Sequence, residues 1–193
     1  MCVRDTNAPT APSAKGNSAA SRDIASYLHP YTNLAAHEKT GPHVISKGHG
    51  IYVTDDNGRD FIEGMAGLWC ASLGFGERRL VEAATKQLET LPYYHTFASR
   101  STNPAIDLAE KLLELVPVPM SKVFFANSGS EATDSAVKMV WYYHNAIGQP
   151  EKKKIISRKT CYHGVTVAAA SMTWLHGNHK MFDLPFDGFI HSE

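Results

Sequence analysis

Phe124-Phe125-Ala126-Asn127-Ser128-Gly129-Ser130-Glu131-Ala132 is where residue type and spacing first point to chemistry: a short apolar strand pattern runs through a Ser-Gly-Ser turn into an amphipathic helix pattern. The first turn of a helix has backbone N–H groups without intrahelical acceptors and carries the positive end of the helix dipole, so phosphate is stabilised there. Gly129 would let a phosphate approach the main chain, and Ser128 and Ser130 would add hydroxyl donors. The same residues also make an ordinary helix cap, since Ser is a favoured N-cap. On this segment alone both readings stand.

A second segment bears on the choice. The apolar strand pattern Lys154-Ile155-Ile156-Ser157 leads into Cys161-Tyr162-His163-Gly164 and a further helix of small residues. In open α/β sheets ligands sit beyond the carboxyl ends of strands. A phosphate seat after one strand and an aromatic ring after the next would therefore face one cofactor. Taken singly, Tyr162 is either a half-buried aromatic closing a strand edge or a stacking platform. Upstream, the Gly64-Met65-Ala66-Gly67-Leu68-Trp69-Cys70-Ala71-Ser72-Leu73-Gly74 segment sets Trp69 among small and apolar neighbours, where composition alone makes it core.

Together, Ser128-Gly129-Ser130-Glu131-Ala132, Tyr162-His163-Gly164 and the Gly64–Gly74 segment resemble the class III aminotransferases, pyridoxal-phosphate (PLP) enzymes of fold type I. Within them the chain is most similar to the ω-transaminase, or pyruvate-dependent amine transaminase, group. The likeness runs from about Ser21 to Glu193, with the motifs in family order. It implies an α/β fold: an N-terminal arm and part of the small domain, then the first part of a large domain built on a mostly parallel sheet. The expected organisation is a disordered tail over residues 1–20, an arm and hairpin segment over 21–76, and the beginning of the PLP-binding domain over 77–193. By the family pattern Gly129 and Ser130 bind the cofactor phosphate with Ser128 beside them, Tyr162 stacks on the pyridine ring, and His163 supports that wall. Leu68, Trp69, Phe97 and Val165 fall where the family lines its substrate pocket, and Arg100 falls on the rim. Thr133 departs from the pattern, which carries Asn there.

The resemblance also implies a residue that these positions do not supply. Family chemistry uses a lysine that forms the Schiff base and moves a proton during amino transfer. None of the lysines here stands in that context, so no catalytic residue is expected within the 193 residues and the Schiff-base lysine is expected downstream. As an N-terminal fragment the chain alone is expected to be inactive. The full enzyme would pass an amino group from an amine or ω-amino acid to a keto acid such as pyruvate, as a homodimer or larger assembly. The alternatives are another class III-like PLP enzyme, an aminomutase or decarboxylase, and an inactive fragment or remnant.

Composition bounds the remaining possibilities. With 43% hydrophobic residues the 193-residue chain can bury a core. Lys+Arg of 19 against Asp+Glu of 19 leaves no electrostatic case for nucleic acid or an anionic membrane. Cys2, Cys70 and Cys161 form no even or closely spaced set, which points to a reducing, cytoplasmic setting. No apolar run approaches the ~20 residues of a membrane span, and no secretory or transit pattern is expected at the N-terminus. Cys161-x-His163 with His176-x-x-His179 lacks the tight, duplicated pairs of structural zinc sites, so no metal is expected.

The elements that must position these residues follow from periodicity and turn chemistry. Ser21–Leu28 predicts a short helix ended by His29-Pro30, with an irregular arm over Pro30–Thr40. Gly50–Thr54 and Asp60–Glu63 flank Asn57-Gly58, a strong hairpin signal. Apolar residues at helical spacing predict helices over Glu77–Leu91, Pro104–Val116 and Ser130–Ile147, and Lys122–Ala126 predicts a strand. Alternating helix and strand patterns from there to Thr173 predict a mostly parallel sheet.

Overall fold

A computed structural model of the protein describes residues 16–193; the expected tail lies outside the described residues as far as residue 15. Ser18 caps α1 (Ala19–Ser26) by accepting the N–H of Ser21 at 3.1 Å, so the helix starts ahead of the expected Ser21. Asn33 caps α2 (Leu34–Thr40) in the same manner, accepting from Ala36 at 3.1 Å. Such caps satisfy N–H groups that a helix leaves over, and they explain why part of the arm expected to be irregular is helical.

Three antiparallel strands follow in sequence order: β1 (Ile45–His49), β2 (Tyr52–Asp55) and β3 (Asp60–Ile62). The β2–β3 hairpin turns at Asn57-Gly58, as expected, with Val53 opposite Phe61. Asp55 fixes this turn. Its buried carboxylate accepts the N–H groups of Asn57 at 3.0 Å and Arg59 at 2.9 Å, and pairs with the Arg59 guanidinium at 2.7 Å.

The chain then makes α3 (Ala66–Trp69), a single helical turn of the unusual hand. Ala66, Gly67, Leu68 and Trp69 have φ of 49°, 59°, 58° and 68°. For L-residues the left-handed region costs roughly 1–2 kcal/mol per residue, so something must hold the turn. Glu63 does: its carboxylate accepts the N–H of Met65 at 3.0 Å and of Gly67 at 2.6 Å. Helix α4 (Arg78–Thr90) falls within this first unit, which ends at His95.

The second unit runs Thr96–Glu193. Its elements are α5 (Asn103–Leu115), α6 (Gly129–Ala146), β4 (Ile155–Arg158), α7 (Val167–Met172) and β5 (Phe189–Ser192). Strands β4 and β5 pair in parallel with Ile156 opposite Ile190. A parallel pair needs a crossover, and α7, which packs on both strands and on α6, provides it. The core sits there: Val137 of α6, Ala169 and Ala170 of α7, with Ser157, Ser171 and Thr173 also buried. The small side chains of α7 let its backbone come close to its neighbours.

Lys122–Ala126, expected as a strand, is not one. No described residue pairs with it, and Phe124 and Phe125 stand 64% and 47% exposed. A strand's ladder is supplied by non-local partners, which a local apolar run does not reveal.

Candidate functional site

The start of α6 is built by its own sequence. Ser128 is extended (φ −153°, ψ 161°) and its hydroxyl oxygen accepts the N–H of Glu131 at 3.1 Å. The Glu131 carboxylate turns back and accepts the backbone and side-chain amides of Asn127 at 3.0 and 3.1 Å. Gly129 and Ser130 occupy the first turn, where N–H groups have no intrahelical acceptor. A Cβ added at Gly129 would meet nothing within 4 Å, so the approach to those groups is open.

Ser130 links this helix to the loop after β4. Its hydroxyl oxygen accepts the N–H of Val165 at 3.0 Å, which leaves its own proton free to be donated elsewhere. Thr133 donates to the carbonyl of His163 at 3.1 Å. Asp134 accepts the Thr166 hydroxyl at 2.8 Å and the Ala169 N–H at 2.9 Å, tying α6 to the start of α7. From the far side, the Thr173 hydroxyl accepts the N–H of His163 at 2.8 Å and donates to the carbonyl of Gly164 at 3.0 Å.

Gly164 is the contact point. Its φ is +129°, and a Cβ there would lie 2.5 Å from the Ser130 oxygen, 2.8 Å from the Ala169 Cβ and 2.9 Å from the Ser130 Cα. Only glycine combines that backbone conformation with that approach. Ser128, Gly129, Ser130, Tyr162, His163 and Val165 are thereby brought into one locality. Tyr162 is 53% exposed in the described residues. His163 Nε2 is buried and has no hydrogen-bond partner among the described residues. Chemically, the arrangement offers main-chain N–H groups, a donor hydroxyl and an aromatic ring, a set suited to holding a phosphorylated aromatic molecule by position.

The remaining expected pocket residues belong to other segments of the chain. Leu68 and Trp69 belong to the first unit, on the left-handed turn, and are 62% and 75% exposed. Phe97 and Arg100 belong to the second unit and close a turn in which the Arg100 N–H donates to the Phe97 carbonyl at 3.3 Å. Glu63, Thr166 and Thr173 carry no sequence signal, Asp134 reads only as a partner of the helix dipole, and Thr133 only as a departure from the family pattern. Apart from Glu63, which bonds only a few residues ahead, their partners lie in other segments, so no local pattern marks them.

The model for the family described as aminotransferase class-III matches residues 34–191. Vanillin aminotransferase from Capsicum chinense is 54% identical over 153 residues, covering 79% of this chain and 33% of that protein. Gamma aminobutyrate transaminase 1, mitochondrial, from Solanum lycopersicum is 50% identical over 167 residues, covering 86% of this chain and 32% of the relative. Among solved structures, the omega transaminase from Pseudomonas jessenii in complex with PMP superposes with a TM-score of 0.90 at 59% identity, covering 91% of this chain and 39% of that one. The chain thus spans about a third of the length of the curated relatives it matches.

Proposed function

Because the chain belongs to the class-III aminotransferase family, we propose that it forms the front part of a PLP-dependent transaminase that moves an amino group from an amine or ω-amino acid to a keto acid such as pyruvate. The carrying observation is the lock between Ser130 and Val165, which sets an anion-binding helix start beside an exposed Tyr162 ring. Relatives named for γ-aminobutyrate, an ω-amino acid, and for vanillin, an aromatic aldehyde, support this substrate class.

The residues present suit PLP on two counts: open space stands before Gly129, and His163 Nε2 is a buried polar atom in want of a partner. Gly129 and Ser130 hold the phosphate through N–H groups and the Ser130 hydroxyl, while Ser128 keeps the helix start in shape. Tyr162 fixes the plane of the ring and His163 backs it. When bound, PLP supplies an electron sink for the proton loss at the amine carbon. Leu68, Trp69, Phe97 and Val165 wall the substrate and Arg100 lies on the rim. These residues orient and enclose, and the proton-moving lysine comes from outside them. The enzyme is a homodimer or larger assembly. It works in the cytoplasm, a setting supported by free Cys70 and Cys161.

The test is amino transfer from an ω-amino acid to pyruvate by the whole enzyme, together with PLP retention in Ser130→Ala. Loss of one charge-assisted hydrogen bond should weaken retention by about 1.5–3 kcal/mol. Unchanged retention refutes the phosphate assignment, and absence of transfer from any amine tried refutes the activity.

A further inference from the structure

A two-histidine, one-carboxylate cluster lies in the N-terminal arm, within the first unit, and the proposed function makes no use of it. His29 Nε2 stands 3.0 and 2.9 Å from the two carboxylate oxygens of Asp23, and His37 Nε2 stands 2.9 Å from Oδ1. One ligand atom from each residue falls in a group whose members lie within 4.8 Å of one another. The two imidazoles pack with ring centroids 4.6 Å apart, and Tyr27 covers His29 at 4.3 Å. Side-chain exposures of 25% for His29, 18% for Asp23 and 10% for His37 leave the group shielded but open to water on one side.

Distances near 2.9 Å suit two imidazole N–H donors on a carboxylate. They also match neighbouring ligands around a small divalent ion. With bonds of about 2.0–2.1 Å, adjacent ligand atoms sit about 2.9 Å apart in octahedral geometry and about 3.3 Å apart in tetrahedral geometry. To take a cation, each neutral imidazole carries its proton on Nδ1 instead of Nε2, the two imidazole nitrogens close to ligand distance about one ion, and the ion takes the place of the two shared hydrogens.

We propose that Asp23, His29 and His37 form a binding site for a late first-row divalent cation of the zinc type, with water completing the coordination on the exposed side. The donor set selects the class, since imidazole with a single carboxylate suits such ions better than magnesium or calcium, which favour oxygen-rich sites. Because Asp23 lies on α1 and His37 on α2, the ion would fasten the two arm helices together across the Pro30 link.

The experiment is a chelator-competition titration of the whole enzyme with Zn2+, and with Co2+ read by its visible absorption. One equivalent is expected to bind. His37→Gln, which keeps a donor toward Asp23, should weaken binding at least by the ~10–100-fold that loss of even an outer-shell partner brings. A double variant, His176→Gln with His179→Gln, should leave it unchanged. Zn2+ should also slow proteolysis within residues 19–40 of the wild type and not of His37→Gln. His29→Gln, at the most exposed of the three positions, carries the same test if His37→Gln does not fold. Equal binding by wild type and both arm variants, or no equivalent bound, overturns the proposal. PLP retention is read separately, so this failure is distinct from failure of the amino-transfer reading.

Discussion

Replacing Thr173 by Val and, separately, by Ser asks whether a hydroxyl or a methyl group holds the loop that carries Tyr162. Thr173 is fully buried, and its hydroxyl serves the His163 N–H at 2.8 Å and the Gly164 carbonyl at 3.0 Å. Thr173→Val keeps the shape and removes both bonds, leaving one part-buried donor and one buried acceptor. An orphaned buried group costs about 1–3 kcal/mol, with carbonyls toward the lower end, so the sum is about 2–4 kcal/mol. Thr173→Ser keeps the hydroxyl and deletes one methyl, a loss of about 1 kcal/mol. Val should therefore be the more destabilising by at least about 1 kcal/mol, although it is the closer match in volume. Urea unfolding of the whole enzyme gives the comparison. Near-ultraviolet circular dichroism adds a local signal from Trp174, whose backbone N–H donates to the Cys161 carbonyl in the same loop at 2.9 Å. PLP retention should fall with Val and hold with Ser. If Val is tolerated as well as Ser, apolar packing rather than hydrogen bonding fixes the loop, and the reasoning is refuted.

Two further outcomes are expected. Glu63→Ala should release the left-handed turn, because its carboxylate holds the N–H groups of Met65 and Gly67; Glu63→Gln, with one acceptor oxygen left, should release it less. Fluorescence anisotropy of Trp69, in a background with Trp141, Trp174 and every other tryptophan of the enzyme changed to Phe, should fall in the order wild type, Gln, Ala, and identical values would refute the clamp. At Asp55, burial would raise the carboxyl pKa, but the Arg59 and Asn57 hydrogen bonds and the Arg59 charge bring it well below the usual range. A depressed folded-state pKa stabilises above the unfolded value of about 3.9 and loses that contribution as pH falls through the folded value. Asp55→Asn should therefore lower the thermal midpoint at pH 7 and flatten its decline below about pH 4; an unaltered acid limb would count against the Asp55–Arg59 pair.

Much of the scaffold was legible because its signals are local. Asn57-Gly58 marked the hairpin, and apolar spacing marked α4, α5 and α6 to within a residue or so at each end. Ser128 was legible as a cap for the same reason. What stayed hidden depends on distant partners or on unusual backbone. Strand β1 reads Ile45-Ser46-Lys47-Gly48-His49, without apolar alternation, and forms because β2 lies beside it. The Lys122–Ala126 run is the converse case, having the apolar pattern while no described residue pairs with it. Thr173 holds His163 from across a loop, and Ala66–Trp69 takes the left-handed form in residues that, Gly67 apart, give no sign of it.

If Trp69 walls the substrate, that turn reverses an ordinary trade-off. Widening a binding wall by trimming a large side chain usually erodes stability, because the trimmed atoms were buried. Trp69 is 75% exposed and sits at φ 68°, a conformation in which glycine is the residue at ease. Trp69→Gly would relieve roughly 1–2 kcal/mol of backbone strain against roughly 0.5–1 kcal/mol of added chain entropy in the unfolded state. If Trp69 walls the substrate, the chain has a position where the range of accepted amines can broaden without a stability penalty, and variation in specificity should concentrate there.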